Sequence, residues 1–259
     1  MSSLVMTGRT DPGMVREHNE DCFVIVPESG LAVLADGMGG HLAGEVASAM
    51  AIDQVTQHLL NAFAGTHVPS TNSGADDSAL LVDAIKSANA AIHQASMTRP
   101  EQSGMGTTIV AAVFSDDHVT VAHVGDSRLY RYRHGALSQI TEDHSMVQEL
   151  LRRGLISPEE ARTSVNKNLV TRALGVDPIV EVDVRETDLA PGDLYLLCSD
   201  GLNDVLTDEE IASHISSHPG DLDAAARSMI QQVNERGGPD NVSIVLISSD
   251  GQFSRKRQH

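Results

Sequence analysis

Tryptophan is absent from the 259-residue chain, and Phe and Tyr bring the aromatic content to only 3%. Base-stacking platforms and aromatic sugar clefts therefore have little to be built from. Cysteine is almost as scarce: Cys22 and Cys198 are too few for a disulfide framework and read as reduced core thiols. Basic residues are outnumbered, 18 Lys and Arg against 36 Asp and Glu, for a formal charge of −18. A chain this acidic lacks the basic stripe that nucleic acid requires and is repelled by an anionic membrane surface. Long apolar runs are missing too, since LAVLA (31–35), IVAAVF (109–114) and VSIVLI (242–247) are strand-sized rather than membrane-spanning. The opening MSSLVMTGRTD has no continuous apolar stretch of signal-peptide length. Together these absences lead us to expect a soluble, cytoplasmic protein with neither nucleic-acid nor membrane partners.

With 41% hydrophobic residues, a chain of this length has enough apolar side chains for a sizeable core. Short β-like runs open it, at Leu4–Met6, Cys22–Val26 and Leu31–Ala35. Ala47, Ala51, Val55, Leu59 and Phe63 then recur every fourth residue and predict a helix over about 43–63. The turn formers of 65–77 read as a loop. Leu81, Ile85, Ala88, Ile92 and Ala95 mark the buried face of a second helix over about 78–97. A block of strands occupies 105–140, with hairpin turns at Ser115-Asp116-Asp117 and Arg133-His134-Gly135. Mixed polar sequence from Thr141 to Leu174 suggests short helices and loops, and strands resume at 179–185 and 193–199 around the turn Pro191-Gly192. The stripe Leu222, Ala225, Ala226, Met229, Ile230, Val233 predicts a last helix, begun at Asp221-Leu222-Asp223, and VSIVLI a last strand. Elements arriving in blocks favour mainly antiparallel sheets covered by helices, an α+β domain. One domain over 1–250 is expected, with a disordered basic tail at 251–259.

Four apolar strands carry an Asp at one end beside a glycine or a tight turn. LAVLA runs into Asp36-Gly37, VTVAHV into Gly125-Asp126, LYLLCS into Asp200-Gly201, and GGP leads through Asp240 into VSIVLI. In antiparallel neighbours one strand ends where the next begins, so three exits and one entrance converge at one rim. Carboxylates gathered there repel one another unless a cation sits among them. Oxygen donors without a Cys/His cluster favour Mg²⁺ or Mn²⁺ over Zn²⁺. Arg16, ahead of Glu20-Asp21 and a strand, has the fork geometry to bind phosphate oxygens beside such a site. His123 and His144 read as structural histidines, and the Gly37–Gly40 run lacks the Gly-Lys-Ser/Thr ending of a P-loop.

GMVREHNED, ADGMGGHLAGEVAS, GMGTT, AHVGDSR, CSDGL and GGPDNVSIV follow one another in order and spacing. The series resembles the PP2C (PPM) family of metal-dependent protein Ser/Thr phosphatases, particularly its compact bacterial members, over about residues 5–249. The resemblance implies a four-layer α-β-β-α sandwich with a two-metal centre at one edge. It implies that Asp36 bridges two Mg²⁺ or Mn²⁺ ions, that the Gly37 carbonyl binds one, and that Asp200 and Asp240 complete the other's protein ligands. Asp126 with Asp200 would form a third-metal site, Glu20 and Asp21 would orient metal-bound waters, and Arg16 would clamp the substrate phosphate. Residues 145–168 would form a flap bearing on substrate choice. The implied reaction is in-line attack by a metal-bridging hydroxide without a phosphoenzyme. In keeping with that, neither cysteine begins a C-x₅-R loop, because Glu28 and Asp204 stand six residues after them. Animal members place a His, proposed as general acid, two residues after the bridging Asp. Here Met38 stands there, which leaves nearby His41 or a metal-bound water as proton donor. The expected substrates are phosphoproteins of a cognate bacterial Ser/Thr kinase, met by a monomeric enzyme. A catalytically silent regulatory module would have lost one of Asp36, Asp200, Asp240 or Arg16, and all four are present. A carboxylate-metal nuclease is disfavoured by the acidic charge.

Overall fold

Strands that are apolar on both faces need cover on both, and this chain supplies it with helices outside and a second sheet inside. The computed structural model describes residues 4–39, 43–65, 73–162, 164, 169–251 and 253. In chain order it begins with β1 (Leu4–Asp11), β2 (Asp21–Val26), β3 (Leu31–Met38), α1 (Ala43–Gly65) and α2 (Ser73–Thr98). There follow β4 (Gly106–Thr107), β5 (Ile109–Ser115), β6 (His118–Val124), β7 (Arg128–Arg133), β8 (Ala136–Gln139), α3 (Met146–Arg152) and α4 (Pro158–Arg162). The chain then forms β9 (Asp183–Asp188), β10 (Leu194–Cys198), α5 (Asp200–Asn203), α6 (Asp208–Ser217), α7 (Leu222–Glu235) and β11 (Val242–Ser249).

One sheet has the order β1-β11-β10-β7-β8 and the other β2-β3-β5-β6-β9, with β4 alongside β3. Every strand pair is antiparallel. The two-residue period of a strand sorts the side chains between layers. Leu31, Val33 and Ala35 of β3 pack with Ala47, Val55 and Leu59 of α1 and Leu81 and Ile85 of α2. The intervening Ala32 and Leu34 face inward, where Phe114, Tyr195, Leu197, Val245 and Ile247 join them between the sheets. Leu196 and Cys198 of β10 turn the other way, onto α6 and α7 at Ile211, Met229 and Val233. The expected α-β-β-α sandwich is therefore the fold, and no helix among the described residues is long and apolar enough to cross a membrane.

Several boundaries move for identifiable reasons. The expected loop 65–77 shortens, because α2 already begins at Ser73. The strand expected at 179–185 sits at Asp183–Asp188, where its register is fixed by pairing His123 with Asp183 and His118 with Asp188 on the short β6. Helix α6 escaped the periodicity reading, yet Thr207 and Glu210 form a reciprocal capping box at its start. The tail expected from residue 251 starts too early: Gly251 is buried, and Phe253 pairs through both backbone groups with Asp116 while its ring enters the inter-sheet core. Residues 254–259 of that tail lie outside the described residues, as do His41 and, within the expected flap, residues 163 and 165–168.

Candidate metal centre and phosphate site

The sheets bring their acidic strand ends to one cavity of about 230 Å³, lined by Arg16, Glu20, Asp36, Gly37, Met38, Asp126, Asp200, Asp240 and Asn241, among others. Strand pairing accounts for much of this convergence. Asp21 lies opposite Asp36 in the β2–β3 register, and Asp200 opens α5 directly after β10. Asp36 is not at a strand exit as expected, because β3 continues to Met38 by pairing Gly37 and Met38 with Thr107 and Gly106 of β4. Asp126 follows Gly125, whose φ of +109° is open to glycine and strained for other residues. A Cβ at Gly125 would also stand 2.6 Å from the Thr108 side chain.

The backbone holds these carboxylates firmly. The Asp36 carbonyl accepts from the Thr108 N–H and the Thr107 hydroxyl, each at 2.8 Å, and the Asp36 N–H donates to Thr108 Oγ1 at 3.0 Å. Thr108 Oγ1 in turn lies 2.7 Å from Ser127 Oγ, one residue beyond Asp126. The Ser199 hydroxyl donates to Asp21 Oδ2 at 2.7 Å. Thr107, Thr108, Ser127 and Ser199 were not singled out from the sequence, although all four lie within the motifs GMGTT, AHVGDSR and CSDGL; their membership in those motifs was the only available signal.

The electrostatics are those of buried carboxylates that repel one another. Burial and then the charges of Asp21, Asp200, Asp126 and Asp240 push Asp36 well above the ordinary carboxylate range. Burial, then Asp126, Asp204, Asp240 and Asp21, do the same to Asp200. Asp21, chiefly through burial, and Asp126, through burial and then Asp143, are each raised to about 6. Glu20 is raised as well, again chiefly by burial. Asp21 Oδ1 is buried with no hydrogen-bond partner, a cost a native structure bears only where a further partner is expected. Among the described residues the only guanidinium lining the cavity is that of Arg16, half exposed and 2.7 Å from Asp240 Oδ2. Several oxygen donors, mutually repelling and short of positive charge, fit hard divalent ions.

Other clusters do not compete for this role. His123, His144 and Asp183 have donor atoms within 4.8 Å of one another. His144 is, however, held from both sides: the Gly125 N–H donates to Nδ1 at 3.0 Å, and Arg172 lies 3.1 Å from Nε2. Arg172 already serves as the cation there, 2.6 Å from Asp183 Oδ1, and the two imidazoles stack at 4.6 Å, so both histidines are structural. A larger cavity of about 610 Å³ between β1 and α7 has Arg9 and Arg227 already paired to Asp223. A third cavity, about 410 Å³, shares Asp126 and Asp200 with the acidic one and extends beneath α3 and α4 to Val147, Leu151 and Ala161. It therefore joins the expected flap to the acidic rim.

Known proteins share this chain's sequence and fold. The family model described as protein phosphatase 2C matches residues 15–246. A serine/threonine phosphatase, Stp, of Listeria monocytogenes is 40% identical over 245 residues, covering 93% of this chain and 94% of its own. The PstP phosphatase of Mycobacterium tuberculosis is 39% identical over 92% of this chain, which spans 43% of that longer protein. A crystal structure of M. tuberculosis PstP superposes with a TM-score of 0.85 at 37% identity, covering 95% of this chain and 98% of that one. The PstP catalytic domain in complex with two manganese ions gives 0.82 at 36% identity, over 96% and 99%. With sequence and fold in agreement, the chain belongs to the protein phosphatase 2C family.

Proposed function

We propose that the chain is a metal-dependent protein serine/threonine phosphatase whose two divalent ions are held by Asp36, the Gly37 carbonyl, Asp200 and Asp240. The observation that carries this reading is the convergence of Asp36, Asp126, Asp200 and Asp240 with Arg16 in one cavity. Oxygen donors suit Mg²⁺ or Mn²⁺, and Asp126 with Asp200 is the pair for a third ion. When bound, such ions neutralise charge on the phosphoryl oxygens and make water nucleophilic at neutral pH.

The remaining work falls to the chain's own groups. Arg16 binds two phosphoryl oxygens through its planar fork, and its half-exposed position lets it leave Asp240 for an incoming phosphate. Thr107 and Thr108 fix the backbone of Asp36, and Ser199 fixes the Asp21 carboxylate, so the acidic groups need not reorganise during the reaction. Glu20 and Asp21 set the orientation of water at the site. The proton for the departing Ser or Thr oxygen would come from His41 or from a metal-bound water. Neither cysteine is a nucleophile: Cys198 is buried with its thiol pushed far up, Cys22 is raised too, and neither lines the cavity. Residues 1–250 act as one catalytic domain with a flap over 145–168 that screens phosphoprotein substrates. A cognate Ser/Thr kinase supplies those substrates, and the enzyme works as a cytoplasmic monomer.

Phosphate release from a phosphothreonine peptide tests this reading with Mn²⁺, with EDTA, and with Asp36→Asn. Turnover is expected in the first case only; equal rates in all three would sink the metal mechanism.

A further inference from the structure

The Pro12–Glu20 segment that carries Arg16 has turns and bends but no strand or helix of its own. The side chain of Arg16 is 52% exposed, so packing does not fix its direction. Its aim depends on the backbone from which it hangs and on one ion pair. Both lead to the same dipeptide. Asp240 Oδ2 holds the guanidinium at 2.7 Å, and the next residue, Asn241, holds the loop. Asn241 is 5% exposed, and its amide makes three hydrogen bonds, all to that loop's backbone. Nδ2 donates to the Pro12 carbonyl at 2.9 Å and to the His18 carbonyl at 2.9 Å. Oδ1 accepts from the Glu20 N–H at 2.8 Å. These partners also settle the orientation of the amide, because two carbonyls require the nitrogen and one N–H requires the oxygen.

We infer that Asn241 is the positioning residue of the phosphate clamp, joining both ends of the Arg16 loop to the Asp240-Asn241 segment that leads into β11. The inference rests on the reading of Arg16 as the phosphate ligand. Only a primary amide offers two donors and an acceptor in this fork: Asp keeps the acceptor and loses both donors, and Ala loses all three. An unpinned loop would leave two carbonyls without these partners and let the guanidinium spread over many positions, which lowers the affinity for phosphate without altering the acidic rim.

A double-mutant cycle tests this with the whole chain, a phosphothreonine peptide and saturating Mn²⁺, using Arg16→Ala, Asn241→Ala and the double variant. Asn241→Leu provides a second, uncharged variant of similar side-chain shape should Asn241→Ala fail to fold. Arg16→Ala and the Asn241 variant are each expected to raise KM about tenfold, the size of one lost hydrogen bond to a charged group, with kcat changed less than about threefold. In the Arg16→Ala background the Asn241 change should add less than about twofold, because it acts through a side chain no longer present. Two readouts do not depend on turnover. Amide hydrogen exchange over residues 12–20 should accelerate, while the affinity for Mn²⁺ alone, by calorimetry, should stay within about threefold. Full additivity of the KM effects would overturn the inference, as would an Asn241 variant that loses kcat and Mn²⁺ affinity together with KM unchanged. Arg16→Ala with an unchanged KM would instead overturn the clamp reading, and this inference with it.

Discussion

Strand β10 has an aspartate just before it and another just after it, and the two stand in opposite electrostatic states. At Asp193, burial works to raise the carboxyl, yet hydrogen bonds from Arg133 prevail and hold it below the ordinary carboxylate range. Arg133 reaches both oxygens at 2.6 Å through Nε and a terminal nitrogen, and the Ala190 N–H adds a bond at 2.9 Å. At Asp200, burial and then four neighbouring carboxylates push the group far the other way. Five strand residues separate two sites of the same chemistry. The difference is whether the chain supplies the cation. At Asp193 it does, and the result is a structural clasp; at Asp200 carboxylates outnumber the single half-exposed Arg16, and the excess acid suits cations from outside.

The largest test of that contrast is Asp200→Asn. Turnover should fall by about 1000-fold or more, since transition-state charge stabilisation worth several kcal/mol is lost. In EDTA the same variant should melt higher than the wild type, because one member of a repelling cluster has been neutralised. A lower melting temperature in EDTA would mean that the rim is not strained by like charge. At the other end of β10, Asp193→Ala should cost about 3 kcal/mol in urea unfolding with or without Mn²⁺, because it leaves Arg133 without its fork partner. Activity per folded molecule should change less than about twofold, and a selective loss of turnover would erase the distinction between the two ends.

The pH dependence separates the ends again. Asp21 and Asp126 are raised to about 6, and burial with neighbouring carboxylates also pushes Asp36 and Asp200 well above the ordinary carboxylate range. The folded metal-free protein therefore binds protons that the unfolded chain has released above about pH 4. Stability from these groups is present below that pH and is lost as pH rises through 6 and beyond. Carboxylates held low by arginine, such as Asp193 and Glu210, act in the opposite sense, and their contribution is lost only as pH falls below about 4. Melting in EDTA should accordingly weaken between pH 5 and 7.5, about, and Mn²⁺ should remove that decline. An unchanged decline in Mn²⁺ would place its cause elsewhere. The smallest effect is expected at the substrate rather than the metal: Arg16→Ala should raise the peptide KM about tenfold and leave Mn²⁺ affinity nearly intact. An unchanged KM would count against the clamp.

The fold and the acidic rim were legible because they depend on pattern. Blocks of apolar strands and helical stripes point to antiparallel sheets covered by helices, the family resemblance implies the four-layer sandwich, and an Asp beside a glycine or tight turn stands out in a single sequence. Register was not legible. The true extent of β9 is set by its pairing with β6 and that of β3 by β4, and pairing is a property of two segments together. The tail was misjudged for a similar reason, since the burial of Phe253 depends on Asp116, far away in the chain. Asn241 was visible in its motif, but its role was not, because its three partners lie more than two hundred residues earlier.

The account turns on whether the acidic rim is a built cation site, and calorimetric titration of the metal-free protein with Mn²⁺ addresses that most directly. Wild type should bind about two ions tightly at neutral pH, Asp193→Asn should match it, and Asp36→Asn should lose both. Equal stoichiometry and affinity in wild type and Asp36→Asn would contradict the assignment of the rim as the metal centre.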